Sequence, residues 1–348
     1  MNPMILSLFI SALGLGTTIT LSSYHWVLAW MGLEMNTLAI IPLMAKLHHP
    51  RAIEATTKYF LTQAAASALI LFSSLTNAWI TGEWAITNLT NTLSIISITI
   101  ALSMKLGLAP FHFWLPEVIQ GLDLMTGLIL STWQKLAPMA LLYLISPNLN
   151  FTILLTLAIF STLIGGWGGM NQTQLRKVLA YSSIAHLGWM TIILIPSPQL
   201  TMLNLIIYIL MTSSMFLVFK TYSTTKISSL SLYWTKAPAI STMTILVLLS
   251  LGGLPPLSGF LPKWMIIQEL SNQGLMLPAT IIALSALLSL FFYLRLSYTS
   301  ILTIPPNTSN SPTLWRSMST QPKMFLSTTI IASTCFLPIS PMIMSALN

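Results

Sequence analysis

A chain of 348 residues with 55% hydrophobic and 6% charged residues, at a mean hydropathy of +0.81, cannot cover a soluble fold with polar groups. The composition excludes a water-soluble enzyme and describes one integral membrane unit, whose net charge of +8 must be accounted for on a membrane face. The single cysteine, Cys335, excludes an intramolecular disulfide framework and an iron–sulfur cluster, which takes about four thiolates, and reads as a small buried hydrophobe.

A membrane helix needs about 20 mostly apolar residues, because the hydrocarbon core is about 30 Å thick and each residue rises about 1.5 Å. Eleven segments meet this requirement. The first, Met4 to Leu21, lacks a basic stretch before it and reads as a retained span, not a cleaved leader. The second, Trp26 to Leu43, carries Glu34 near its middle, and the third runs from Tyr59 to Ile80. The fourth, Leu93 to Gln120, is interrupted by KLGLAPFHFWLPEV, which places Lys105, Pro110, His112 and Pro116 in an apolar run. Lys135 lies within the fifth, Met125 to Ile145. The sixth, Phe151 to Met170, ends in GGWGG, which follows no strand and is therefore not a phosphate loop. His186 lies in the seventh, Val178 to Ile195, and the eighth runs from Leu203 to Phe219. The ninth, Ile240 to Leu270, is interrupted by LPPLSGFLPKW with Pro256, Pro262 and Lys263. Leu275 to Leu296 and Met324 to Met344 complete the set.

Loops alternate sides, and the inner side collects lysine and arginine. Eleven crossings put Lys46, Arg51, Lys58, Arg176, Lys177, Lys220, Lys226, Lys236, Arg295, Arg316 and Lys323 on the N-terminal side, leaving Glu83 and Glu269 opposite. The N-terminus is thus expected inside and the C-terminus outside. The basic charge faces anionic lipid and calls for no nucleic acid. Glu117 and Asp123 read as interfacial charges at the inner end of the fourth span.

Glu34, Lys105, Lys135 and Lys263 remain inside spans. A charge at the bilayer centre costs about 2.5–3.5 kcal/mol on insertion scales, so such residues face a bundle interior or a wet cavity. Ion pairing or snorkelling to the interface would be structural explanations. One acid cannot pair three bases, and Glu34 and Lys135 are too deep to snorkel. Burial disfavours an ammonium and a nearby carboxylate favours it, so a lysine between these influences exchanges protons as its partner moves. Connected by water, such groups form a proton relay, which His112 and His186 could extend.

The interruption in the fourth span has a twin. LAPFHFWLPEV can be laid without gaps over LPPLSGFLPKW, matching Leu108 with Leu254, Pro110 with Pro256, Leu115 with Leu261, and Pro116 with Pro262. The copies lie five crossings apart and so run in opposite directions, the sign of an inverted repeat with a discontinuous helix in each half. Freed carbonyls at membrane depth require protein or water to satisfy them. The expected fold is all-α and polytopic: residues 1–146 form one five-helix repeat, 147–300 its inverted counterpart, and 301–348 an inner loop and a last helix. There is no dinucleotide fingerprint, zinc spacing or haem attachment motif.

WMGLEMNTLAIIPL, SMKLGLAPFHFWLPEV, LRKVLAYSSIAHLGWM and LGGLPPLSGFLPKW together resemble the antiporter-like subunits of respiratory complex I, over nearly the whole chain. The resemblance implies a subunit of H⁺-translocating NADH:ubiquinone reductase, with no NADH site, redox centre or cofactor of its own. It implies that Glu34 modulates Lys105, that Lys135 is the central relay group, and that Lys263 serves a second half-channel. Its implied partners are neighbouring antiporter-like and other membrane-arm subunits, accessory subunits, and lipids such as cardiolipin. The implied location is the mitochondrial inner membrane, with the N-terminus in the matrix and the C-terminus in the intermembrane space. It further implies a form lacking three N-terminal helices of the bacterial relatives. The residues alone leave two alternatives open, a free-standing cation/proton antiporter and a purely structural anchor.

Overall fold

The computed structural model describes residues 3–46, 48–235, 237–303 and 324–347, so Lys236, Arg316 and Lys323, with most of the loop before the last expected span, lie outside the described residues. The fold is all-α. Among the described residues there are sixteen α-helices and only isolated β-bridges, His25 with Ala85 and Gln174 with Lys226. In order, the helices are α1 (Pro3–Ser22), α2 (Trp26–Met44), α3 (Pro50–Thr81), α4 (Thr92–Leu106), α5 (Trp114–Gly121), α6 (Leu124–Ser131), α7 (Trp133–Ile145) and α8 (Phe151–Met170). They continue as α9 (Leu175–Ile192), α10 (Pro198–Tyr222), α11 (Ile227–Ser231), α12 (Pro238–Gly252), α13 (Phe260–Asn272), α14 (Met276–Leu302), α15 (Met324–Cys335) and α16 (Ser340–Leu347).

Among the described residues, seven helical stretches are long and apolar enough to cross a membrane: α1, α2, α3, the α6–α7 stretch, α8, α10 and α14. A bent pair near the C-terminus, broken by 68°, makes an eighth if counted as one span. The interrupted segments expected at Leu93 to Gln120 and Ile240 to Leu270 are each two helices, α4 with α5 and α12 with α13. The segment from Met125 to Ile145 is also divided, at Thr132. Pro138 inside α7 frees the Gln134 carbonyl and crowds the preceding turn.

Local chemistry starts and stops these helices. His25 and His49 each accept, through Nδ1, the backbone N–H two residues on at 3.2 Å, capping α2 and α3; Asn91 does the same for α4 at 3.3 Å. Gly82 ends α3 in the left-handed conformation at φ 73°.

The chain forms two compact units, Met1–Ser161 with Leu187–Pro198, and Thr162–His186 with Gln199–Asn348. In the first, one end gathers the loops after α1, α3 and α7: Trp26 N–H donates to Trp84 O at 3.1 Å, and Asn148 Nδ2 donates to Thr87 O. That end carries Glu83 and neither lysine nor arginine. At the other end Lys58 reaches Glu117, and Gly121 packs on the Arg51 carbonyl.

In the second unit the loop after α8 meets the loop after α10, with Leu175 N–H donating to Thr225 O at 3.0 Å. Arg295 donates from α14 to Gln172 O, so Arg176, Lys177, Lys226 and Arg295 share one end of that unit. The glycines of GGWGG are packing surfaces: a Cβ on Gly165 would meet Ala185 N at 2.6 Å, and one on Gly169 would meet the Phe292 ring at 2.8 Å. Cys335 is exposed, which corrects the expectation of a buried thiol. It ends α15 on an outward face, and an apolar thiol is tolerated where a membrane helix faces lipid.

Candidate functional site

In the first unit the break between α4 and α5 builds the site. Gly107 ends α4 at φ 79°, where a Cβ would meet Leu115 Cδ1 at 2.9 Å. Its N–H and that of Leu108 both turn back to Ser103 O, at 2.9 and 3.0 Å, and close the helix end. Trp114 Nε1 donates to Met104 O at 3.1 Å, so the indole of the second half-helix joins the Gly107 N–H, at 3.2 Å, on a carbonyl at the end of the first. Pro110 lies between the halves. Pro116 stands in the first turn of α5, where its missing N–H had no helical acceptor. The glycine therefore stops α4, and Pro116 helps to start α5 instead of breaking it.

This arrangement sets Lys105 in the last turn of α4, 5% exposed. Its Nζ has no hydrogen-bond partner among the described residues. Lys135, also 5% exposed, is in the first turn of α7, just past the interruption at Thr132. The two lysines line one cavity of about 20 Å³, shared with Asn36, Tyr59, Gln63 and Gln134. Gln63 Nε2 stands 3.5 Å from Lys105 O and Gln134 Nε2 stands 3.5 Å from Asn36 O.

Glu34 sits half-buried near the middle of α2, within one turn of cavity-lining Leu33, Asn36 and Thr37. Thr37 Oγ1 lies 2.9 Å from Glu34 Oε2 and 2.9 Å from its carbonyl. Among the described residues the Glu34 carboxylate makes no ion pair with Lys105. His112 is buried in the break with its ring 4.3 Å from that of Phe113, and is not in the cavity wall. Glu117 and Asp123 lie outside the cavity, and Glu117 Oε2 is 2.7 Å from Lys58 Nζ, which also holds Glu54 at 2.6 Å.

In the second unit the break between α12 and α13 repeats the backbone pattern. Gly253 ends α12 at φ 81°, Pro256 lies between the halves, and Pro262 falls in the first turn of α13. The charged residue has a different position. Lys263 follows its break and aligns with Glu117, whereas Lys105 precedes its own. The Lys263 ammonium nevertheless reaches back, donating to Gly252 O at 2.8 Å and Leu251 O at 3.3 Å. His186, 6% exposed, packs its ring 5.5 Å from that of Tyr208.

Charge-based reading missed the amides Asn36, Gln63 and Gln134, although polar side chains inside apolar spans were a visible signal. Among the described residues no cluster of three His, Cys, Asp or Glu side chains could hold a metal ion. What the first unit offers is a small chamber of mixed polar and apolar lining that two lysines share.

A family model described as NADH:quinone oxidoreductase/Mrp antiporter, TM, matches residues 23–289, and one described as NADH dehydrogenase subunit 2 C-terminus matches residues 290–344. NADH-ubiquinone oxidoreductase chain 2 of Xenopus laevis is 66% identical, covering 98% of this chain and 99% of its own. The chain belongs to the NADH-ubiquinone oxidoreductase chain 2 family. The family member of Squalus acanthias is 61% identical over 99% of each chain. A chain of respiratory complex I from Thermus thermophilus, solved with bound aureothin, covers all of this chain and is covered to 81%, with TM-score 0.88 and 25% identity. Family membership and the shared fold make this a multi-pass, antiporter-like membrane protein.

Proposed function

We propose that in this antiporter-like, membrane-arm subunit of NADH-ubiquinone oxidoreductase the buried charges of the two units form a proton relay. The observation that carries the reading is the cavity in the first unit, lined by both Lys105 and Lys135, with the Lys105 amine lacking a hydrogen-bond partner among the described residues. Two ammonium ions on one small chamber repel each other in a low-dielectric setting, so a proton gained by one promotes release from the other. Glu34 modulates this balance through its field at Lys105, and Lys263 passes the proton onward. Redox energy released elsewhere in the complex biases the exchange. His112 and His186 are candidates for extending the path.

Counting each broken pair as one crossing and adding α9 would give eleven, with the first five and the next five as inverted repeats. The shared backbone pattern at Gly107 and Gly253 supports that reading. The gathering of basic residues at one end of each unit supports a matrix-side N-terminus and an intermembrane-space C-terminus in the mitochondrial inner membrane. The same basic ends suit anionic lipids such as cardiolipin, and the partners are other membrane-arm and accessory subunits.

Replacing Lys105 or Lys135 by methionine should impair quinone-linked turnover and proton pumping in the assembled complex, while NADH oxidation by an artificial acceptor continues. Full pumping and ubiquinone reduction in both variants would end the proposal. The family model shared with Mrp antiporters supports one alternative, cation/proton exchange by the chain alone. That reading requires transport by the isolated chain in vesicles lacking an electron donor.

A further inference from the structure

Ser258 lies between α12 and α13, 1% exposed, and donates through Oγ to the carbonyl of Ser333, 75 residues further along the chain on α15. In the gapless overlay of the two interruptions it takes the position of His112. A buried hydroxyl needs a partner, and this one finds it on the last span. Ser333 is itself 1% exposed and stands in the last turn of α15, where helical carbonyls run out of backbone donors. Just beyond it the span bends by 68°. α15 buries Leu326, Thr329, Ile330 and Ser333, whose spacing of three and four residues makes one stripe along the helix. The hydroxyl of Ser258 lands at the end of that stripe.

This contact falls at the start of α13. Gly259, next in sequence, is seated so closely on α12 that a Cβ would run into the Ser250 carbonyl. The Ser250 hydroxyl is held in turn, donating to Val247 O at 2.7 Å and lying 3.4 Å from Met211 Sδ. One turn into α13, Lys263 reaches back to Gly252 O. That reach depends on where α13 begins, because a shift of one residue swings a helical side chain by about 100° around the axis.

We propose that Ser258 is a positioning residue: its bond to Ser333 O ties the second break to the last span and sets the start of α13, so that α15 holds Lys263 at the end of α12. The proposal rests on the relay reading, in which Lys263 passes the proton onward. The last span, outside the two proposed repeats, thereby acts on the second of them.

The test uses the assembled complex in vesicles. Ser258→Ala removes the donor with little change in volume and should slow quinone-linked pumping about fivefold, the weight of one buried hydrogen bond, with NADH oxidation by an artificial acceptor unchanged. Ser258→Thr keeps the hydroxyl and should restore pumping. In a density map of Ser258→Ala the separation of Lys263 Nζ from Gly252 O should exceed about 3.5 Å, a displacement that loosened packing of α15 alone would not produce. Undiminished pumping in Ser258→Ala, a threonine variant as slow as alanine, or Lys263 still bonded to Gly252 O in the alanine map each overturns the proposal. If Ser258→Ala fails to assemble, a map of the unmodified complex decides: Ser258 Oγ on Ser333 O supports the proposal, and Oγ turned away overturns it. Full pumping in Ser258→Ala alongside loss in Lys105→Met removes only the positioning role; full pumping in both Lys105→Met and Lys135→Met removes the relay itself.

Discussion

Lys263 Nζ donates to Gly252 O at 2.8 Å, so a side chain from the second half-helix closes the end of the first. The ammonium sits where the helix dipole is negative and two carbonyls lack helical donors. The residue proposed for a second half-channel thus serves as a structural clasp.

Removing the clasp should be costly. Lys263→Met leaves the Leu251 and Gly252 carbonyls without their donor, a loss of about 1–3 kcal/mol if they remain buried, seen as earlier thermal inactivation of the complex. Lys263→Arg keeps the donors and should restore stability, but a guanidinium does not release its proton near neutral pH. Restored stability with lost pumping would assign Lys263 both roles; restored pumping would confine it to the clasp.

Gly107→Ala should destabilise the first unit by about 1–2 kcal/mol from left-handed strain alone. The contact at 2.9 Å with Leu115 Cδ1 adds to this. Gly82→Ala provides the comparison, since Gly82 has φ 73° and open space where the methyl would go. Thermal inactivation should rank Gly107→Ala as the more damaging, and equal effects would show that packing across the break is unimportant.

Glu117→Gln should leave stability and pumping unchanged. Its partner Lys58 keeps the ion pair with Glu54 at 2.6 Å, and all three side chains are 42% to 62% exposed. Exposed pairs are weak and screened by salt. A pumping defect that persists at high ionic strength would place Glu117 in the proton path instead.

The sequence revealed the helical membrane class, the interruptions and the buried charges because hydropathy, glycine, proline and charge are one-dimensional signals. It did not reveal the work of each breaker. Gly107 and Gly253 end their helices through backbone torsion, while Pro116 and Pro262 begin the next ones, and both kinds appear in sequence only as punctuation. The division at Thr132 was hidden because an apolar run with one internal proline at 138 reads as a continuous span.

Asn36, Gln63 and Gln134 were passed over because an amide disturbs a hydropathy average far less than a charge does. Their importance lies in convergence from three separate helices, which spacing along one chain cannot express. Lys263 shows a related limit. Its alignment with Glu117 says nothing of an ammonium that spans the break to reach α12. The outward face of Cys335 depended on the packing of α15, which a short apolar stretch does not define.

The chamber beside Lys105 and Lys135 is large enough for a single solvent molecule. A passage that narrow cannot act as an open pipe, because no standing column of solvent would bridge it for ions to drift along. In the proposed relay, charge advances only when an amine swings or changes hands, one step at a time. Under that proposal such a bottleneck insulates, keeping the membrane from short-circuiting between strokes of the machine.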